Sequence, residues 1–264
     1  MLEQFYFLHI PKTAGTTLNY AVFPLLFDEQ DICPAYSYPQ LMRIPPSDLR
    51  RYRLFRGHFY YYLYHLLPER PVYMTFLRDP VDRVISLYEY VRRSPEHYQH
   101  KLVSSLKGGI LDFVRTPELL APDFQVTALA FDIDVKDALA RAQARQQEPI
   151  DEERVLLAEM LRRPPSHADL DTACRRLEEF AFVGITEHFD QSVHLLCRHF
   201  GRLPLRSHES LNVAPEPRVR RAQLAPDVLE EISKTHPLDT ELYAFAKRLF
   251  YRRLSESGLG QLPV

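Results

Sequence analysis

The chain is poor in the features that mark several protein classes. Its 264 residues contain no apolar run long enough to cross a bilayer, which takes about 20 such residues. The first strand pattern begins almost at Met1, so no secretory leader is expected. Cysteine is scarce: Cys33, Cys174 and Cys197 are an odd number without framework spacing. That argues against a disulfide scaffold and for reduced thiols in a cytoplasmic protein. Neither sign of charge dominates, because 33 Lys and Arg face 35 Asp and Glu, a net charge of −2. No global basic field draws the chain onto nucleic acid or an acidic membrane, so any anion site must be built locally. Internal repeats and low-complexity tracts are absent. What is present, 45% hydrophobic and 26% charged residues, is the mixture of a globular protein with a real core. A single domain over residues 1–264 is expected.

Strand, loop and helix patterns alternate. Phe5–Ile10, Leu54–Tyr60, Val72–Leu77 and Phe180–Thr186 read as strands. Thr16–Leu26, Val81–Arg93, Asp190–Phe200, Pro226–Lys234 and Leu238–Leu254 read as helices. Residues 30–51 read as a loop-dominated connection with one short helix. Residues 112–179 are more charged, with helical patterns over Ala138–Gln147 and Glu152–Arg163, and form an expected helical insertion beside a cleft. Together these predict an α/β fold, a central parallel sheet flanked by helices.

The densest signal is Phe5-Tyr-Phe-Leu-His-Ile-Pro-Lys-Thr-Ala-Gly-Thr-Thr-Leu18. An apolar strand runs into a short loop and then a helix, the arrangement of a phosphate cradle. Gly15 lets backbone approach an anion, and the helix start offers unpaired N–H groups and a positive dipole end. Lys12 adds a charge, Thr13, Thr16 and Thr17 add hydroxyls, and Ala14 lies between them. The order differs from the ATP and GTP cradle, where lysine follows the last glycine; here Lys12 precedes Gly15.

A second anion element is Leu77-Arg-Asp-Pro-Val-Asp-Arg-Val-Ile-Ser86. Asp79 is a good N-cap and Pro80 suits the first helical position. Arg78 then stands at the carboxyl end of a strand, where open α/β sheets place ligands. Ser86 comes two turns after the cap on the same face, about 10 Å along the axis. A guanidinium and a hydroxyl can converge there on one phosphate.

With both motifs in view, the chain resembles the sulfotransferases that use 3′-phosphoadenosine 5′-phosphosulfate (PAPS), in particular the branch containing heparan sulfate 2-O-sulfotransferase. His9–Leu18 is similar to that family's 5′-phosphosulfate loop and Leu77–Ser86 to its 3′-phosphate element. Phe182–Phe189 and Leu238–Tyr243 are similar to further segments of the branch. The resemblance implies a P-loop NTPase-like sheet, PAPS as co-substrate and a hydroxyl acceptor, with carbohydrate favoured. It also implies a catalytic base at His58, in Arg56-Gly-His-Phe59, although Arg56 stands where the 2-O pattern has a second histidine. Asn212 and Arg218 fall near a loop that folds over the nucleotide in that family, which makes Arg218 a candidate 3′-phosphate contact.

An imidazole near its ordinary pKa suits proton abstraction at neutral pH. Lys12 is placed to offset charge on the bridging oxygen of the leaving group, so no metal is expected. The tyrosine run at Tyr60–Tyr64 suits a sugar or phenol equally with packing at a sheet edge. His194, Cys197 and His199 do not share one helix face and lack the partners of a zinc site. Two alternatives remain: a module that binds PAPS or adenosine 3′,5′-bisphosphate without turnover, and an ATP-dependent phosphotransferase.

Overall fold

The computed structural model describes residues 3–116, 118–145, 147–202 and 219–258. Its centre is a sheet of four parallel strands, β1 (Phe5–Leu8), β2 (Leu54–Gly57), β3 (Val72–Leu77) and β4 (Phe182–Ile185), in the order β2-β1-β3-β4. All four residues of β1 and of β4 are buried, as expected for a parallel sheet covered on both faces. This is why the strands read as continuous apolar runs instead of alternating ones.

The strand order places a ligand site. The chain leaves β1 for β2 on one side, then returns to place β3 on the other side of β1. That reversal is a topological switch point, and crevices form outside the carboxyl ends of the two strands flanking it. Those ends lead into the His9–Thr17 loop and into Arg78.

After β1 come α1 (Gly15–Thr17), a π-helical stretch (Leu18–Val22) and α2 (Phe23–Leu26). Pro24 has no N–H to give to Tyr20 four residues back, and the helix widens just before it. Phe23 N bonds to Leu18 O, which releases the carbonyl of Asn19. The guanidinium of Arg56 takes up that carbonyl. Arg56 therefore ties β2 to this helix. Residues 30–51 hold two short helices rather than one, α3 (Tyr38–Met42) and α4 (Pro46–Leu49).

Between β3 and β4 run α5 (Pro80–Arg93), α6 (His100–Ser105), α7 (Ile110–Arg115), α8 (Phe124–Ala130), α9 (Val135–Gln143), α10 (Glu152–Met160) and α11 (His167–Glu179). The helical character expected of residues 112–179 is present. After β4 come α12 (Phe189–His199), α13 (Pro226–Thr235) and α14 (Pro237–Glu256). Asp79 caps α5 by accepting from Val81 N at 2.9 Å and Asp82 N at 3.2 Å. Val81, Val84, Ile85, Tyr88 and Val91 of α5 pack into a second apolar cluster with α7 and α13. The face that carries Asp82, Ser86, Glu89 and Arg93 is left to line a cleft.

Three strands are shorter than the runs read for them, β4 covering Phe182–Ile185 of Phe180–Thr186. β1 stops at Leu8 instead of Ile10. β2 stops at Gly57 instead of Tyr60, where φ of +150° at Gly57 turns the chain. A side chain at Gly57 would also meet Phe59 and the Tyr36 carbonyl, both at 2.9 Å.

Candidate active site

One cleft of about 1760 Å³ opens over the switch point. Lys12, Ala14, Gly15, Thr16, Thr17, His58, Arg78 and Ser86 all line it. The two anion motifs and the candidate base thus share a single cavity. Arg218 lies outside the described residues, as does Asn212.

The loop is wound tightly. Lys12 (φ 72°) and Ala14 (φ 64°) are both left-handed, a conformation that costs a non-glycine residue about 1–3 kcal/mol and often marks functional sites. The Thr13 hydroxyl donates to Ile10 O at 2.8 Å and is fully buried, so it closes the loop and does not face a ligand. The φ of Gly15 is not positive, and a Cβ there would lie 1.8 Å from His9 Nε2. The group that needs the missing side chain is the imidazole of His9.

His9 is the residue that motif reading undervalued. Leu8 pairs with Gly57 across β1 and β2, so the next residues, His9 and His58, are neighbours. Their rings stack with centroids 4.3 Å apart, and His58 Nδ1 lies 2.8 Å from His9 O. A carbonyl only accepts, so neutral His58 carries its proton on Nδ1 and its lone pair on Nε2. Burial lowers the His58 pKa; the bond to His9 O opposes this and Lys12 adds to it. Burial lowers His9 further, helped by His58 and then Lys12.

Lys12 Nζ sits over the Tyr90 ring, 4.0 Å from its centroid, a cation–π contact. Burial first, then Arg78 and Arg93, bring its pKa from 10.5 to about 8. The ammonium is poised to respond to an anion.

Arg78 is held from several directions. Its Nη1 donates to Lys12 O at 3.2 Å, which joins the two motifs, and its Nε is 3.9 Å from Glu187 Oε1. Gln125, fully buried at the start of α8, accepts from Arg78 N at 3.1 Å and donates to Arg78 O at 2.9 Å. Glu187 also accepts from Asp79 N at 3.0 Å and from Tyr243 Oη at 2.7 Å. Arg221 bridges Asp79 at 3.0 Å and Asp82 at 3.3 Å. Gln125 and Glu187 were invisible to motif reading because their partners lie about 50 and 110 residues away.

The tyrosine run divides. Tyr60 and Tyr62 line the cleft. Tyr61 turns into the core, stacked on Tyr73 at 5.0 Å. Both the packing role and the site-facing role are therefore filled, by different rings. Among the described residues no group of three or more His, Cys, Asp or Glu could hold a metal, and no helix is long and apolar enough to cross a membrane.

Comparison with known proteins finds two with similar sequences. Over 203 residues the chain is 28% identical to heparan-sulfate 6-O-sulfotransferase 3-B of Danio rerio, covering 69% of this chain and 43% of that protein. Over 86 residues it is 38% identical to a protein-tyrosine sulfotransferase of Arabidopsis thaliana, 32% of this chain and 17% of the other. The chain is thus similar in sequence to two sulfotransferases, each over part of its length. It spans less than half the length of each of these two relatives. One is named for a tyrosyl acceptor and the other for a 6-O glycan acceptor, so the sulfotransferase likeness does not single out the 2-O branch. A solved sulfotransferase from Alicyclobacillus acidocaldarius aligns over 98% of this chain and 99% of its own, at 17% identity and a TM-score of 0.40. No family model matches.

Proposed function

We propose that the chain is a PAPS-dependent sulfotransferase that moves a sulfuryl group to an acceptor hydroxyl, on a carbohydrate. The observation that carries this reading is the convergence of Lys12, Arg78 and His58 in one cleft, with His58 Nδ1 engaged by His9 O. In this reading the helix start at Gly15–Thr17 and Lys12 receive the 5′-phosphosulfate, while Arg78 and Ser86 receive the 3′-phosphate. Arg218 is retained as a proposed contact to the same phosphate. The heparan-sulfate relative and the cleft-facing tyrosines support a sugar acceptor.

The reaction is an in-line displacement at sulfur. His58 Nε2 takes the acceptor proton as the new O–S bond forms. The bond from sulfur to the 5′-phosphate oxygen breaks, and adenosine 3′,5′-bisphosphate leaves. Lys12 meets the charge that develops on that bridging oxygen, a role worth most in a partly desolvated cleft. Because lysine and arginine supply the positive charge, no metal enters the proposed mechanism. Cys33, Cys174 and Cys197 carry thiols and not a disulfide, which supports a reducing, cytoplasmic setting.

His58→Ala tests the assignment. With radiolabelled PAPS, transfer should fall by about 10²–10⁴, the usual contribution of a general base. Affinity for adenosine 3′,5′-bisphosphate should stay within about twofold, under 0.5 kcal/mol. Transfer at the parent rate would remove His58 from the mechanism. Equal loss of binding would make it a structural histidine.

A further inference from the structure

The cleft is larger than its nucleotide motifs require. A single small ligand fills about 300–1000 Å³, against about 1760 Å³ here. Tyr60, Tyr62, Phe124 and residues of α10 line it beside the two anion motifs, and their side chains indicate which acceptor it suits.

Tyr60 is two residues beyond the base and is held at φ 54°, ψ −168°. That region is nearly reserved for glycine, so packing must force this tyrosine into place. Its ring lies 6.0 Å from both Tyr62 and Phe124, forming an aromatic wall next to His58. Burial pushes its phenol upward, and the next largest contribution is the carboxylate of Glu153 on α10. Glu153 lines the same cavity as this wall. Asp151 and Arg154 flank it in the cleft, and Leu156 and Leu157 add apolar surface. Two carboxylates thus stand against one guanidinium on this element. Glu89, on the α5 face that also carries Arg93, is a further carboxylate of the lining. It is 3% exposed, neither of its oxygens accepts a hydrogen bond among the described residues, and Arg92 Nη1 is 3.8 Å from Oε1.

A polysulfated or uronate-rich chain needs a basic track, because each of its anions would otherwise lose hydration to face carboxylates. We infer that the acceptor is an uncharged glycoside with an apolar aglycone, not an anionic glycosaminoglycan. The sugar face stacks on Tyr60 and Tyr62, and the aglycone lies along Leu156 and Leu157. This rests on the sulfuryl-transfer reading and uses the same step: the glycoside hydroxyl gains the sulfuryl group, His58 gains the proton and the bisphosphate departs.

The test compares octyl β-glucoside with heparan sulfate oligosaccharides as acceptors, using radiolabelled PAPS and the wild-type chain. The glucoside should show kcat/KM at least about tenfold higher, a 1.4 kcal/mol preference. The double variant Asp151→Lys, Glu153→Lys should narrow that ratio by raising transfer to heparan sulfate, with bisphosphate affinity unchanged. Equal or better use of heparan sulfate by the wild type would overturn the inference. So would no labelling of the glucoside by protein that binds the bisphosphate normally. Failure of the wild type to bind the bisphosphate at all would instead bring down the transfer reading, and this inference with it.

Discussion

The imidazole of His58 stacks on that of His9 at 4.3 Å between centroids, while its Nδ1 is 2.8 Å from the His9 carbonyl oxygen. One contact orients the ring and fixes its tautomer. The other places His9 against a second imidazole, which disfavours protonation of His9.

A pH dependence follows. The proposed base must be neutral, and burial with Lys12 lowers its pKa from 6.5. Activity should rise with pH through a limb below 6.5. The proposed electrophile must be charged, and Lys12 loses its proton as pH passes about 8. Activity should fall there, giving a bell in kcat/KM, which reports the free enzyme. Lys12→Arg keeps the charge at all accessible pH and should abolish the falling limb, at a lower maximum rate. A rising limb above pH 7, or an unchanged falling limb in the arginine variant, would contradict these roles.

Gly15→Ala tests the stack through its support. The new methyl would overlap His9, whose Nε2 lies 1.8 Å from the ideal Cβ position. The nearby backbone is confined by the left-handed Ala14 and by the Leu18 N to Ala14 O bond of 3.2 Å, so the ring must move. Overpacking of this kind costs about 1–3 kcal/mol. Urea denaturation should register that loss, and transfer should fall more than bisphosphate affinity, because His58 loses its platform. A fall in affinity with kcat intact would place the glycine's role in anion contact.

The parts legible in the chain were those encoded locally. An apolar run ending in Pro-Lys-Thr-Ala-Gly announces a strand and a tight loop, and Asp79-Pro80 announces a helix start; both stand where expected. The partners that steady them were not legible. His9 lay within the motif, yet its partner is 49 residues away, and only the register Leu8 to Gly57 brings the two together. Two strands each followed at once by a histidine were the available signal, and it needed the knowledge that β1 and β2 adjoin. Gln125 on Arg78 and Glu187 on Asp79 carry no local signature. Thr13 shows the opposite failure, since its hydroxyl suited a ligand by position and was spent on closing the loop.

Asp239 joins fold stability to the site. Its fully buried carboxylate accepts from Gln125 N at 3.2 Å and Val126 N at 2.9 Å, at the start of α8. It also lies 3.9 Å from Nη2 of Arg83, which is 1% exposed. Asp239→Ala would strand that guanidinium and leave two helix-start amides without their acceptor. Losing one partner of a buried pair costs about 3–5 kcal/mol. In an Arg83→Met background no cation is stranded, so the same substitution should cost less, by the 0.5–3 kcal/mol typical of coupled neighbours. Four denaturation curves measure the cycle, and strictly additive costs would show the two residues to be independent. Gln125 is both the first amide Asp239 receives and the side chain that holds the Arg78 peptide. Asp239→Ala should therefore weaken adenosine 3′,5′-bisphosphate binding more than that of adenosine 5′-phosphate, which offers Arg78 no 3′-phosphate.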